Sequence, residues 1–284
     1  MDGSIFGGLL VDREIQTHYS DLSNGELTAR LATTPEIWRD AWTVRHAAYA
    51  SQGFIEPSAS GMFIDECDFS PSSRVIVVYR GGMPVGTARV CLYAPGSGVP
   101  GSDSLPAMQV FPDEIARVFK EIHEDENRIR AVEVMRFSTH PEVGNDRELV
   151  YALYLMAGYV ILNFNANAVV CGIRKHHIPF YRRLGCHQIT EPRPYPKLKF
   201  LTALMARVEK TNWELQQAMP ILHPVSRTDD IYSDLIAGNP VQVFRGERTA
   251  DSVGRILSRR PSLTPVETAP ARMTSAGAEF QLAA

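Results

Sequence analysis

A strand-like run from Ala131 to Ser138, Ala-Val-Glu-Val-Met-Arg-Phe-Ser, places Glu133 and Arg136 in a stretch otherwise apolar enough to be buried. A carboxylate and a guanidinium are costly to desolvate unless each meets a partner. The pair therefore marks a structural ion network or a working site. Upstream charges at Arg45, Asp65, Asp68 and Arg89 favour the working site. Residues three apart point to opposite faces of a regular strand. Glu133 and Arg136 can share one site only if a β-bulge falls between them, so a bulge is expected here. The same bulge would splay the strand from its neighbour and free backbone N–H groups.

The surrounding pattern is mixed α/β. Residues 1–33 read as a loosely structured arm. Thr34-Pro35-Glu36 opens a helix with proline in its first turn. Ile37, Ala41, Val44 and Ala48 form its core stripe, with Arg45 at the stripe's edge. A long loop, 54–73, carries Asp65 and Asp68. Two strands, 74–80 and 85–93, meet at Gly81-Gly82, a hairpin signal. An insertion at 94–128 holds a loop and an amphipathic helix starting at Pro112. After the Glu133 strand come a helix at 146–163, a buried strand at 168–173, a short helix from Ile178 ending at Gly185, and a strand at 198–208. The expected division is an arm at 1–33, a core at 34–208 with the insertion at 94–128, a helical extension at 209–247, and a disordered tail at 248–284, rich in Ser, Thr, Ala, Pro and Arg.

A formal net charge of -3 gives no argument for nucleic acid as a partner. The longest apolar stretches are too short to span a bilayer, so no transmembrane segment is expected. The first residues lack a basic region and make a poor secretory signal. Cys67, Cys91, Cys171 and Cys186 show no C-x-x-C spacing, which fits free thiols in a cytoplasmic protein. His176 and His177 are adjacent and lack metal-ligand spacing, so no metal is expected.

The early helix Arg45, the Asp65-x-x-Asp68 loop, the strand Arg89 and the Glu133-x-x-Arg136-Phe137 strand together resemble the autoinducer-synthase branch of the GNAT acyltransferase superfamily. Phe180 to Gly185 is similar to the last helix of the GNAT core. The resemblance covers residues 34–208 and implies a mixed central sheet flanked by helices. The insertion at 94–128 departs from the compact link usual in that branch and looks similar to that of long-chain N-acyl amino acid synthases. The glycine-rich pyrophosphate loop of coenzyme A users is missing: Ser138 to Asn145 holds no glycine pair to bring N–H groups against a diphosphate. The resemblance then implies an acyl-ACP donor (a pantetheine thioester), with acyl-CoA disfavoured, no bound cofactor, and an amino acid acceptor.

Acyl transfer to an amine needs a neutral nucleophile, a positioned thioester and stabilisation of the oxyanion. Glu133 is the candidate proton acceptor, directly or through water; Arg136 is expected to lower its pKa and weaken it as a base, which leaves orienting the ammonium group as its alternative role. Asp65 and Asp68 can hold the acceptor's ammonium group and Arg45 or Arg89 its carboxylate. Alternatively these four charges pair with one another and pin the loop over the sheet. Met135, Phe137, Leu153, Tyr154 and the helix around Phe119 are candidates to line an acyl slot. Arg174, Lys175, Arg182 and Arg183 form either a docking face for an acidic carrier protein or a solvated surface. Acyl-homoserine-lactone synthesis and a non-catalytic lipid- or partner-binding role are the competing functions.

Overall fold

The computed structural model describes residues 25–258 apart from 145, 196–197 and 246–248. Its strands are β1 (Leu27–Leu31), β2 (Ser73–Arg80), β3 (Met83–Tyr93), β4 (Ala131–Thr139), β5 (Ala168–Ile173), β6 (His187–Gln188), β7 (Arg193–Pro194), β8 (Leu201–Val208) and β9 (Val241–Gln242). Its helices are α1 (Pro35–Ser51), α2 (Pro112–Ile122), α3 (Arg147–Asn163), α4 (Ile178–Arg183), α5 (Asn212–Ala218), α6 (Asp230–Ile236) and α7 (Ala250–Ser258). One sheet runs β6-β8-β5-β4-β3-β2-β1-β9, with β7 beside β8. Only the β4–β5 pairing is parallel; the other pairings are antiparallel.

The hairpin signal is met by positive φ at both Gly81 and Gly82, which a two-residue turn with the strands' own twist requires. The alternation of side chains then divides the sheet into two faces. On one, α1 packs Ile37 and Ala41 on Val75 and Val77. There α2 also packs Ile115 and Phe119 with Cys91, Tyr93, Ala131 and Val170. On the other face, α3 lies on Val132 and Val134. Gly86 permits that approach, since a Cβ there would stand 2.9 Å from Leu149 Cδ1. Helix α3 is buried all round rather than on one stripe, because Ile221, Leu222, Ile231, Leu235 and Val253 of the C-terminal segment cover its outer side.

Two segments differ from the sequence reading. Leu27–Leu31, within the arm read as loose, is a strand paired along its length with β2 and alternating buried and half-buried. Ala250–Ser258, within the tail read as disordered, is a helix whose Val253 joins the core. Residues 1–24 and 259–284, the rest of those two readings, lie outside the described residues.

Two irregularities of β4 shape the centre of the sheet. Thr87 pairs with Ser138 and Arg89 with Met135, so two steps along β3 face three along β4. That is the expected bulge, and Arg136 within it has φ 53°. A bulky residue in that region costs roughly 1–3 kcal/mol and persists only where its surroundings hold it. The second irregularity is a parting of strands. The β4–β5 ladder stops at Glu133 opposite Val170, although both strands run on.

Candidate active site

The bulge decides where three consecutive side chains go. Met135 stays on the α1 and α2 face, against Arg89. Arg136 turns to that face as well and pairs with Asp65, its guanidinium 5.1 Å over the Phe63 ring. Phe137 faces the other way, its ring 4.5 Å from Tyr154 of α3. The ion pair and the cation–π contact together hold Arg136 in its strained backbone conformation.

The upstream charges converge beside it. Asp68 accepts from Arg45 Nη1 at 2.7 and 2.8 Å, from Arg89 Nη1 at 2.9 Å, from Trp42 Nε1 at 3.1 Å and from the Asp65 backbone N–H at 3.0 Å. Asp65 accepts from the Cys67 N–H and pairs with Arg89 at 3.2 Å. Burial pushes the Asp65 carboxyl up, but Arg89 and Arg136 outweigh it and hold the group well below the usual carboxylate range. So of the two arrangements considered, the structure places these four charges on one another. They pin the 66–69 turn, a short 3-10 helix, over the sheet.

A cavity of about 360 Å³ fills the gap between the parted strands. Glu133, Met135, Arg136, Phe137 and Tyr154 line it, whereas Arg45, Asp65, Asp68 and Arg89 do not. Leu153 and Phe119 do not line it either. Leu153 is spent under Gly86, and Phe119 packs on Tyr93 at 5.6 Å within the insertion's own core. Tyr49, Arg174, His177, Tyr195 and Phe200 complete walls that sequence reasoning did not assign.

Glu133 is 1 % exposed, and its Oε2 accepts the backbone N–H of Ala107 at 2.7 Å. The insertion thus reaches Glu133 through a main-chain donor. Burial pushes the Glu133 carboxyl up to about 7, outweighing the lowering by that N–H and by Arg89 and Arg136. Arg136 lowers the Glu133 pKa as expected, but burial outweighs it. A carboxylate with its pKa near neutrality suits proton transfer at physiological pH.

The four basic residues separate. Arg174 lies at the cavity, 4.8 Å over the Phe54 ring and 5.8 Å over Phe200, bonded to Gln52 and His177. Lys175, Arg182 and Arg183 are exposed around α4.

Residues 40–208 match the family described as N-acyl amino acid synthase FeeM. The chain belongs to this family. Its acyltransferase activity and GNAT fold follow from that membership. The solved structure of FeeM, an N-acyl amino acid synthase from uncultured soil microbes, is 18% identical, covers 72% of this chain and 100% of that one, and superposes with a TM-score of 0.55. The acyl-homoserine-lactone synthase LasI is 12% identical over 69% of this chain and 98% of its own, with a TM-score of 0.49. BjaI, a CoA-dependent acyl-homoserine lactone synthase, is 16% identical over 82% and 99%, with a TM-score of 0.48. Among curated proteins none matches. Among the described residues of this FeeM-family chain, no helix is long and apolar enough to cross a membrane.

Proposed function

We propose that the chain moves a long-chain acyl group from the pantetheine thioester of acyl carrier protein to the amino group of an amino acid. The observation that carries this reading is the cavity in the strand gap, with Glu133 on its wall. Its volume lies in the range of roughly 300–1,000 Å³ typical of small-molecule sites. A pantetheine arm enters between β4 and β5. The thioester carbon lies near Glu133, and the acyl chain runs against Phe137 and Tyr154. Glu133 takes a proton from the acceptor amine, directly or through water. Arg136 contributes positive charge to the same wall, and the ion cluster behind it keeps that wall rigid.

A carrier-bound donor is supported by the N-terminus of α3. The Asp146 carboxylate already accepts the Leu149 N–H at 3.0 Å, and Glu148 sits in the first turn. Arg80 bridges both acids, at 2.5 and 2.9 Å. A helix start that could cradle a diphosphate is thereby filled with the protein's own anions, which repel one. Acyl carrier protein brings the same thioester without a free nucleotide.

Incubation with acyl-ACP and a mixture of amino acids yields an N-acyl amino acid by mass spectrometry, and acyl-CoA gives little product. A lactone from acyl-ACP and S-adenosylmethionine would favour the homoserine-lactone reading. No thiol release from either donor would favour the binding-only one. Lys175, Arg182 and Arg183 form the proposed docking face, with Arg174 at the mouth. Changing the three exposed residues to Glu raises the KM for acyl-ACP by roughly 10-fold or more and flattens its salt dependence. The kcat stays unchanged in that variant. An unaltered KM in steady-state kinetics would assign these residues to solvation alone.

A further inference from the structure

The β7–β8 pairing, Arg193 with Thr202 and Pro194 with Leu201, delivers the next residue, Tyr195, onto the strand gap. Its ring rests on Gly172, where an added Cβ would meet Tyr195 Cε2 at 3.5 Å. Gly172 shares a face of β5 with Val170, the residue opposite Glu133. Tyr195, Glu133 and Arg136 all line one cavity.

The hydroxyl of Tyr195 has no hydrogen-bond partner among the described residues. Several other buried or half-buried phenols are bonded within the protein: Tyr154 to Tyr181, Tyr79 to Asp40 and Tyr159 to Asp229. A phenol on the cavity wall without a protein partner is free to bond a ligand atom there. Tyr49 also lines the cavity, but its electrostatic partners are Arg45, Arg136 and Arg174. Tyr195 has Glu133 as its foremost charged neighbour.

We propose that Tyr195 is a catalytic residue whose hydroxyl donates a hydrogen bond to the thioester oxygen as the amine attacks. This rests on the acyl-transfer reading above. The amine nitrogen forms the bond to the carbonyl carbon, and negative charge gathers on the oxygen facing Tyr195. The amine's proton passes to Glu133. Collapse breaks the C–S bond, the electron pair leaves on sulfur, and the thiolate takes up the proton held by Glu133, relayed through water, which restores the carboxylate. Tyr195 keeps its own proton throughout. Burial, and then the charge of Glu133, hold its phenol well above the usual range, which suits a donor rather than an acid.

The test is Tyr195→Phe in the full chain, followed by release of free thiol from acyl-ACP with the amino acid acceptor. Removing one donor to an oxyanion lowers kcat by roughly 100-fold or more. Both KM values and the melting temperature stay as in the wild type, since the hydroxyl holds nothing in the described fold. A wild-type kcat in the variant, or a loss carried entirely by KM, overturns the assignment and leaves the acyl-transfer reading intact. Wild-type protein that releases no thiol from any donor overturns that reading and this assignment together.

Discussion

Glu133→Gln lowers the acyl-transfer rate by roughly 100- to 10,000-fold, the usual loss when a positioned base is removed. Glutamine keeps the size of the side chain and an oxygen to accept the Ala107 N–H, so the insertion stays docked. What disappears is the proton acceptor. In the wild type the rate rises as pH climbs through about 7, where Glu133 gives up its proton. In the variant that limb is lost. Stability moves differently. Glu133 titrates near 7 when folded and near 4.5 otherwise. The folded chain therefore holds the extra proton between those values. The stability from the protonated form is complete below the lower value and is lost as pH rises through the upper one. The glutamine variant lacks this loss and is at least as stable as the wild type above pH 7. Rate–pH profiles and thermal melts of the two proteins check both halves. Near-wild-type turnover in the variant would remove Glu133 from the chemistry.

Some of this site was readable in the chain because the physics is local or costly to evade. A Glu-x-x-Arg pair in an apolar strand demands partners. The same spacing demands a bulge, and β4 has one at Arg136. The charge convergence was readable as residue types, but its internal pairing was one of two open arrangements. Folding chose it because Arg45 and Asp68 are fully buried and pair with one another, and Asp68 pairs with Arg89 as well. Other features carried no such signal. The Ala107 N–H that meets Glu133 belongs to the backbone and leaves no trace in residue type. Tyr195 sits in an irregular Pro-flanked stretch and gains meaning only from the β7–β8 pairing. Leu153 and Tyr154 are neighbours on one helix, yet only Tyr154 reaches the cavity, because Leu153 points under Gly86. The strand at Leu27–Leu31 is five residues long, too short for alternation to outweigh the polar segment before it.

Asp68→Ala destabilises the protein by roughly 3–5 kcal/mol, because it strands buried charge. Arg45 loses its carboxylate partner, and Arg89 keeps only the longer contact to Asp65. The cost comes from leaving guanidiniums unpaired in a site shut off from solvent, not from the attraction of the intact pair. For a chain of this size each kcal/mol lowers the melting temperature by roughly 2–4 °C, so a fall of roughly 6–20 °C is expected by circular dichroism. The double variant Arg45→Met, Asp68→Leu replaces the pair with apolar side chains of similar reach. It recovers part of that loss, which separates charge burial from lost packing. The variants also bear on the site. Asp68 accepts the Asp65 backbone N–H and so fixes the residue that holds Arg136 in its strained conformation. With Asp68 gone, that clamp loosens, and the protein still folded at low temperature turns over more slowly even though Asp68 never borders the cavity. A melting temperature equal to the wild type's would show that water reaches Arg45 and Arg89, and the rigid wall ascribed to this cluster would have to be given up.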